Sequence, residues 1–210
     1  MAIEIKNLTF AYPRSQTPVF ENFSANFPEK GITVMVGQNG AGKSTLIRCL
    51  MGILKPQQGE ICIDGQNAAE MTLAQRGRLM GYVMQNPARQ LFSATIEEEM
   101  QFGLKNMGLS ADEIALRTET YLKMFHLAGR EKEFPFNLSH GEKQRLVMAA
   151  ILSMKPKYLI LDEPTSGLDL KNKNQLAAYL KSVDAGVVMI SHDHKFNDRV
   201  ADRIFQMGEV

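Results

Sequence analysis

The chain has 210 residues, 44% hydrophobic and 22% charged, which supplies apolar mass for a full core. Lys and Arg total 24 against 23 Asp and Glu, so the formal net charge is +1 and gives no support to a nucleic-acid or anionic-membrane partner. No apolar run approaches the roughly 18 residues that span a bilayer. Glu4 is out of place in a signal peptide, and Cys49 and Cys62 lack ligand spacing and read as small hydrophobes in a reducing compartment.

Taken in chain order, the first third is β-rich. Alternation at Ile3, Ile5 and Leu8, the stretch 23–27, and residues 60–63 before Asp64-Gly65 predict short strands. Residues 32–36 form a continuous apolar strand that runs into a glycine-rich turn. A helix of about 43–51 follows, stopped by Gly52 and Pro56. The middle third is predicted helical, with S/T-x-x-E capping boxes at Thr95 and Glu98, Ser110 and Glu113, and Ser139 and Glu142. Ile114, Tyr121, Leu122 and Phe125 share one helical face, and Leu146, Val147, Ala150 and Ile151 share another. Residues 158–161 and 187–190 suit buried parallel strands, with a helix around 176–180 between them. Strands alternating with helices predict an α/β fold with a parallel sheet. No repeat or linker divides residues 1–210, and a helical insertion is expected at about 88–155.

The strongest local signal is Gly37-Gln38-Asn39-Gly40-Ala41-Gly42-Lys43-Ser44-Thr45, a P-loop pattern set between a buried strand and a helix. Glycines let backbone N–H groups turn inward around phosphate oxygens, and the helix N-terminus adds partial positive charge. Lys43 is expected to reach the β- and γ-phosphates of a nucleotide as an exposed ligand group, and Ser44 to ligate Mg²⁺. The second signal is an apolar strand ending in Asp162-Glu163, which places two carboxylates at the carboxyl edge of the sheet. Asp162 suits the Mg²⁺ shell and Glu163 the neighbourhood of an attacking water. Acidic residues there could also simply cap a helix begun at Pro164-Thr165.

With these motifs the chain resembles the ATP-binding cassette ATPases along essentially its whole length. The resemblance implies a P-loop core with a mainly parallel sheet, an N-terminal antiparallel β subdomain and an inserted α-helical subdomain. It places Tyr12 as the adenine-stacking aromatic, Gln85 as the glutamine reaching Mg²⁺ and water, and His192 as the switch histidine at the γ-phosphate. Leu138-Ser139-His140-Gly141-Glu142 matches the LSGGQ signature with His140 in place of glycine and Glu142 in place of glutamine. Ser166-Gly167-Leu168-Asp169 matches the D-loop. Read alone, Tyr12 before Pro13 is also a turn aromatic, Gln85-Asn86-Pro87 a strand-ending turn, Ser139 an N-cap and His192 a structural histidine. His126 and His194 have no motif around them and read as surface or packing residues.

The resemblance further implies that Ser139, His140, Gly141 and Glu142 face ATP on a second ATPase subunit, in a homo- or heterodimer. In that setting His140 would add bulk beside a γ-phosphate. Residues 85–103 are similar to the stretch of energy-coupling factor ATPases that grips a transmembrane scaffold subunit, with Leu91, Phe92 and Phe102 lining a groove. The expected protein is therefore a hydrolysing subunit on the cytoplasmic face of the cell membrane, powering vitamin or metal uptake and needing ATP, Mg²⁺ and no nucleic acid. It would stop short of the C-terminal extension that many of these ATPases carry. A soluble member of the superfamily acting on ribosomes or DNA is the alternative; the balanced charge and lack of a heptad run weigh against it.

Overall fold

A computed structural model describes residues 2–208. In β1 (Ala2–Phe10), Ile3, Ile5, Leu8 and Phe10 are buried. The step from Ile5 to Leu8 breaks a period of two, and a register shift there, with Asn7 at φ 50°, restores the facing. β1 pairs antiparallel with β2 (Phe20–Pro28). The chain then leaves as β3 (Gly31–Val36) and α1 (Lys43–Leu50), and returns as β4 (Gln58–Ile63) and β5 (Gln66–Asn67). These complete an antiparallel sheet of order β2-β1-β4-β5.

After α2 (Leu73–Leu79) and β6 (Met80–Val83) comes the helical middle: α3 (Ile96–Asn106), α4 (Ala111–Met124) and α5 (His140–Ser153). The remainder alternates β7 (Tyr158–Asp162), α6 (Leu170–Ser182), β8 (Gly186–Ile190), α7 (His194–Val200) and β9 (Arg203–Gln206). The second sheet, of order β6-β7-β8-β3-β9, is parallel throughout. β8 and the body of β7 are unbroken apolar runs, as strands covered on both faces are, and β3 departs from this only at the buried Thr33. Tyr158, Ile160, Val188 and Met35 face a core shared with α1 and the antiparallel sheet. Leu159, Leu161, Val187 and Val34 face a core shared with the helices.

The helix starts refine the sequence reading. Ser139 and Glu142 close a reciprocal capping box. Thr95 and Ser110 each accept from the expected N–H, but Glu98 turns to the Ala94 N–H and Glu113 to Arg117, so those two boxes are half-formed. A complete box that the sequence reading missed, Thr72 with Gln75, opens α2. Leu91 is buried in the helical core, whereas Phe92 and Phe102 stand exposed in an edge-to-face pair with centroids 4.7 Å apart. The expected groove therefore loses Leu91, because the turn at 87–90 directs it inward.

A polar clasp joins the two sheets, in addition to the Arg203 bond to the Asn26 carbonyl. The Tyr158 hydroxyl donates to Asp64 Oδ1 at 2.7 Å, and Lys157 Nζ reaches Asp64 Oδ2 at 2.6 Å and Glu29 at 3.1 Å. Burial alone would raise Asp64; the bonds from Lys157 and Tyr158 outweigh it and hold the carboxyl below its ordinary range. Tyr158→Phe keeps the ring and deletes one bond to a charged acceptor. It is expected to cost about 1–3 kcal/mol in urea unfolding, with an unchanged m-value.

Candidate active site

Parallel strands deliver their carboxyl ends to one edge, and here the register makes that delivery specific. Val83, Leu161, Met189 and Val34 form one row across β6, β7, β8 and β3. Two residues further on, the chain reaches Gln85, Glu163, Ser191 and Val36. Beyond Val36 the chain enters the glycine loop, and beyond Ser191 it reaches His192. A cleft of about 550 Å³ opens at this edge, lined by Tyr12, Val19, residues of the glycine loop, Gln85, Asp162, Glu163 and His192.

The loop is shaped by glycine where glycine is required. Gly42 sits at φ 84°, and a Cβ there would lie 2.7 Å from both the Phe20 ring and the Val19 methyl. Gly42 is also the N-cap of α1 and makes no side-chain cap, so the first N–H groups of the helix stay available to an anion. Lys43 departs from the expected exposed ligand. It is 7% exposed, and its ammonium donates to the Gly37 and Gln38 carbonyls at 2.7 and 2.8 Å. Tyr12 is half-buried with its hydroxyl 3.0 Å from Thr45 Oγ1, and its ring meets Phe10 edge-on.

The two carboxyls differ in surroundings. Desolvation raises Asp162, against hydrogen bonds from Tyr82 and Ser44 and the charges of Arg48 and Lys43. Tyr82, in turn, is pushed up to about 12 by burial and by Asp162. Glu163 sits at φ 50°, a strained conformation for a non-glycine residue, and its N–H donates to the Ile190 carbonyl at 3.0 Å. Burial raises Glu163 as well, with His192 the main opposing influence. Glu163 Oε1 is buried without a hydrogen bond, and His192 Nε2 lies 3.4 Å away.

Among the described residues no cluster of three His, Cys, Asp or Glu could cage a metal by itself. Ser44, Asp162 and Gln85 nevertheless share the cleft. A hydroxyl, a carboxylate raised by desolvation and an amide oxygen are hard oxygen donors that suit Mg²⁺ when phosphates complete its shell.

The signature residues and Asp169 do not line the cleft. Ser139 and Glu142 begin α5, and Asp169 caps α6 by accepting from Asn172 N–H at 2.8 Å. His140 is turned toward its own chain, with Nε2 3.2 Å from the Ser166 carbonyl. Two contributors, the buried Gln144 and the half-buried Tyr82, escaped the sequence reading. Gln144 donates to the Pro164 carbonyl, directly after Glu163, and Tyr82 donates to Asp162 at 3.4 Å. Tyr82 was legible only as an inward-facing strand position one residue from a buried row.

The family model described as ABC transporter matches residues 20–166. A Pyrococcus furiosus protein provisionally named an ABC transporter ATP-binding protein is 42% identical over 99% of this chain and 81% of its own length. The energy-coupling factor transporter ATP-binding protein EcfA of Syntrophomonas wolfei is 37% identical over 99% of this chain and 78% of its own. A solved structure described as a dimeric, post-hydrolysis ATP-binding cassette bound to ADP and Pi superposes with TM-score 0.87 at 27% identity. That match covers 99% of this chain and 96% of the other.

The signature departure at Glu142 has a pH consequence. Hydrogen bonds from the Ser139 hydroxyl and N–H, aided by Arg130, lower Glu142 from 4.5 to about 2. A depressed carboxyl stabilises the fold above its unfolded value and loses that contribution as pH falls through the folded value. Glutamine keeps the acceptor of the box but does not titrate. The stability advantage of wild type over Glu142→Gln should therefore shrink as pH falls from about 6 to about 3, measured by urea unfolding. An advantage constant across that range would show that the box does not hold the carboxylate.

Proposed function

The chain belongs to the ABC transporter ATPase family, and on that premise we propose how its cleft binds ATP and cleaves it. It is an ATP-binding, ATP-hydrolysing subunit of an ABC transporter, most like the energy-coupling factor type. The observation that carries the mechanism is the convergence of four strand ends on one cleft, with a buried Glu163 oxygen left without a hydrogen bond.

In this reading the N–H groups of residues 37–45 (Gly37, Gln38, Asn39, Gly40, Ala41, Gly42, Lys43, Ser44, Thr45) wrap the phosphates. Lys43 exchanges its two carbonyl partners for phosphate oxygens. Tyr12 stands at the mouth, where its ring can stack on adenine. Mg²⁺, held by Ser44, Asp162 and Gln85, would neutralise charge across the terminal phosphates. A water oxygen attacks the γ-phosphorus as the bond to the ADP oxygen breaks, and Glu163 accepts the proton of that water. Its burial favours this role, because a base raised toward neutrality holds a proton better. His192 and Gln85 orient the γ-phosphate and the water.

Ser139, His140, Gly141, Glu142 and Asp169 lie outside this cleft, which supports a dimer in which they meet the nucleotide of a second ATPase subunit. The dimeric structural neighbour and the transporter relatives support the same arrangement. No helix among the described residues is long and apolar enough to cross a membrane, so attachment to the cytoplasmic membrane face would run through a permease or scaffold subunit. The exposed Phe92 and Phe102 pair offers apolar anchors for one of its amphipathic helices. The soluble alternative, acting on ribosomes or DNA, gains nothing from these transporter relatives.

Glu163→Gln separates binding from chemistry. ATP affinity should stay near wild type while hydrolysis falls by about 10²–10⁴, and an ATP-bound dimer should emerge in size-exclusion chromatography. Turnover within a few-fold of wild type would assign the base to another residue.

A further inference from the structure

Gln85 leaves the parallel sheet from β6, and β6 is an edge strand with β7 on one side only. An open edge leaves backbone N–H and C=O groups without a neighbouring strand. Here one side chain takes up a pair of them. Gln90 Nε2 donates to the Tyr82 carbonyl at 2.8 Å, and Gln90 Oε1 accepts from the Met84 N–H at 2.7 Å. That carbonyl and N–H are two residues apart, the spacing at which a neighbouring peptide would pair. A side-chain carboxamide carries donor and acceptor in one plane, as a peptide does; a carboxylate offers no donor and an alkyl group neither.

The segment between is compact. Asn86 Oδ1 caps the Ala88 N–H at 3.1 Å, and Gln90 N–H returns to the Pro87 carbonyl at 3.0 Å. At the exit, the 7% exposed Glu99 accepts from the Phe92 and Ser93 N–H groups at 3.0 and 2.8 Å. The exposed Gln85 therefore sits one residue from a pinned Met84, inside a stretch tied at both ends. We propose that Gln90 is a positioning residue for Gln85, its carboxamide standing in for the missing strand at the β6 edge and fixing where Gln85 enters the cleft. This rests on the role given to Gln85 above.

The test is a double-mutant cycle on the purified full chain with MgATP: wild type, Gln90→Ala, Gln85→Ala and the pair. Misplacing a reacting group by about 1 Å costs up to about 100-fold in rate. Gln90→Ala should accordingly lower kcat by about 10- to 100-fold and leave KM within about threefold. In the Gln85→Ala background the same change should cost less than about twofold, because Gln90 acts through Gln85. An equal loss in both backgrounds reveals a general structural role and overturns the proposal. Hydrolysis that falls with Gln85→Ala and not with Gln90→Ala overturns it alone, whereas hydrolysis indifferent to Gln85→Ala removes the role of Gln85 itself. Amide exchange in the wild type reads the bond directly and survives any folding failure of the variants. Protection of the Met84 N–H relative to that of Gln85 is expected, and equally fast exchange overturns the proposal.

Discussion

The Lys43 ammonium, buried against the Gly37 and Gln38 carbonyls, is the interaction on which the site depends. Among the described residues no carboxylate lies within ion-pair distance of it. The ammonium's hydrogen bonds go to neutral carbonyls while the charges of Asp162 and Glu163 act on it without direct contact, so an arriving phosphate would supply the direct anionic partner. Meanwhile the same bonds hold the loop open around the place where phosphate oxygens would sit. Gly42, with no room for a Cβ, then turns the chain into α1 with its first N–H groups uncapped. Loop, helix N-terminus and ammonium thus come together just beyond the end of β3.

Opposite that positive pole, burial raises both Asp162 and Glu163. In the proposed mechanism one of these desolvated carboxyls serves a cation and the other a proton, and the sheet register brings both to the cleft. Glu163 is followed by a segment that α5 grips at three points: Gln144 at the Pro164 carbonyl, His140 at the Ser166 carbonyl and Arg145 at Asn172 Oδ1, 2.8 Å away. The helix that begins with Ser139 is thereby fastened to the strand end that carries the chemistry. A contact made by Ser139 with a partner and a proton taken by Glu163 would act on one connected piece of chain.

Much of this was legible in the sequence because it is local. The glycine loop, its strand and its helix are contiguous, and so is the apolar run ending in Asp162-Glu163. The alternation of strands and helices fixed the parallel sheet. What escaped needed contacts between distant residues. Leu91 and Phe92 have similar hydropathy, and only the turn stabilised by Gln90 and Glu99 decides that one is core and the other exposed. Lys43 reads as a ligand in either state, but its self-satisfied posture depends on the loop's carbonyls. The contact of the His140 ring with the Ser166 carbonyl, 26 residues along the chain, had no local signal either. Tyr82 meets Asp162 only because β6 and β7 are neighbours.

The most direct test of the central claim is calorimetric titration of MgATP into wild type and Lys43→Ala, with circular dichroism confirming the fold of each. A charge pair at about 4 Å is worth roughly 4 kcal/mol at an effective dielectric of about 20. Even half of that, once Lys43 gives up its two carbonyls, corresponds to a Kd weakened by about 30-fold. The account predicts a loss of at least that size with an intact fold; a Lys43→Ala chain that binds MgATP as tightly as wild type would contradict it.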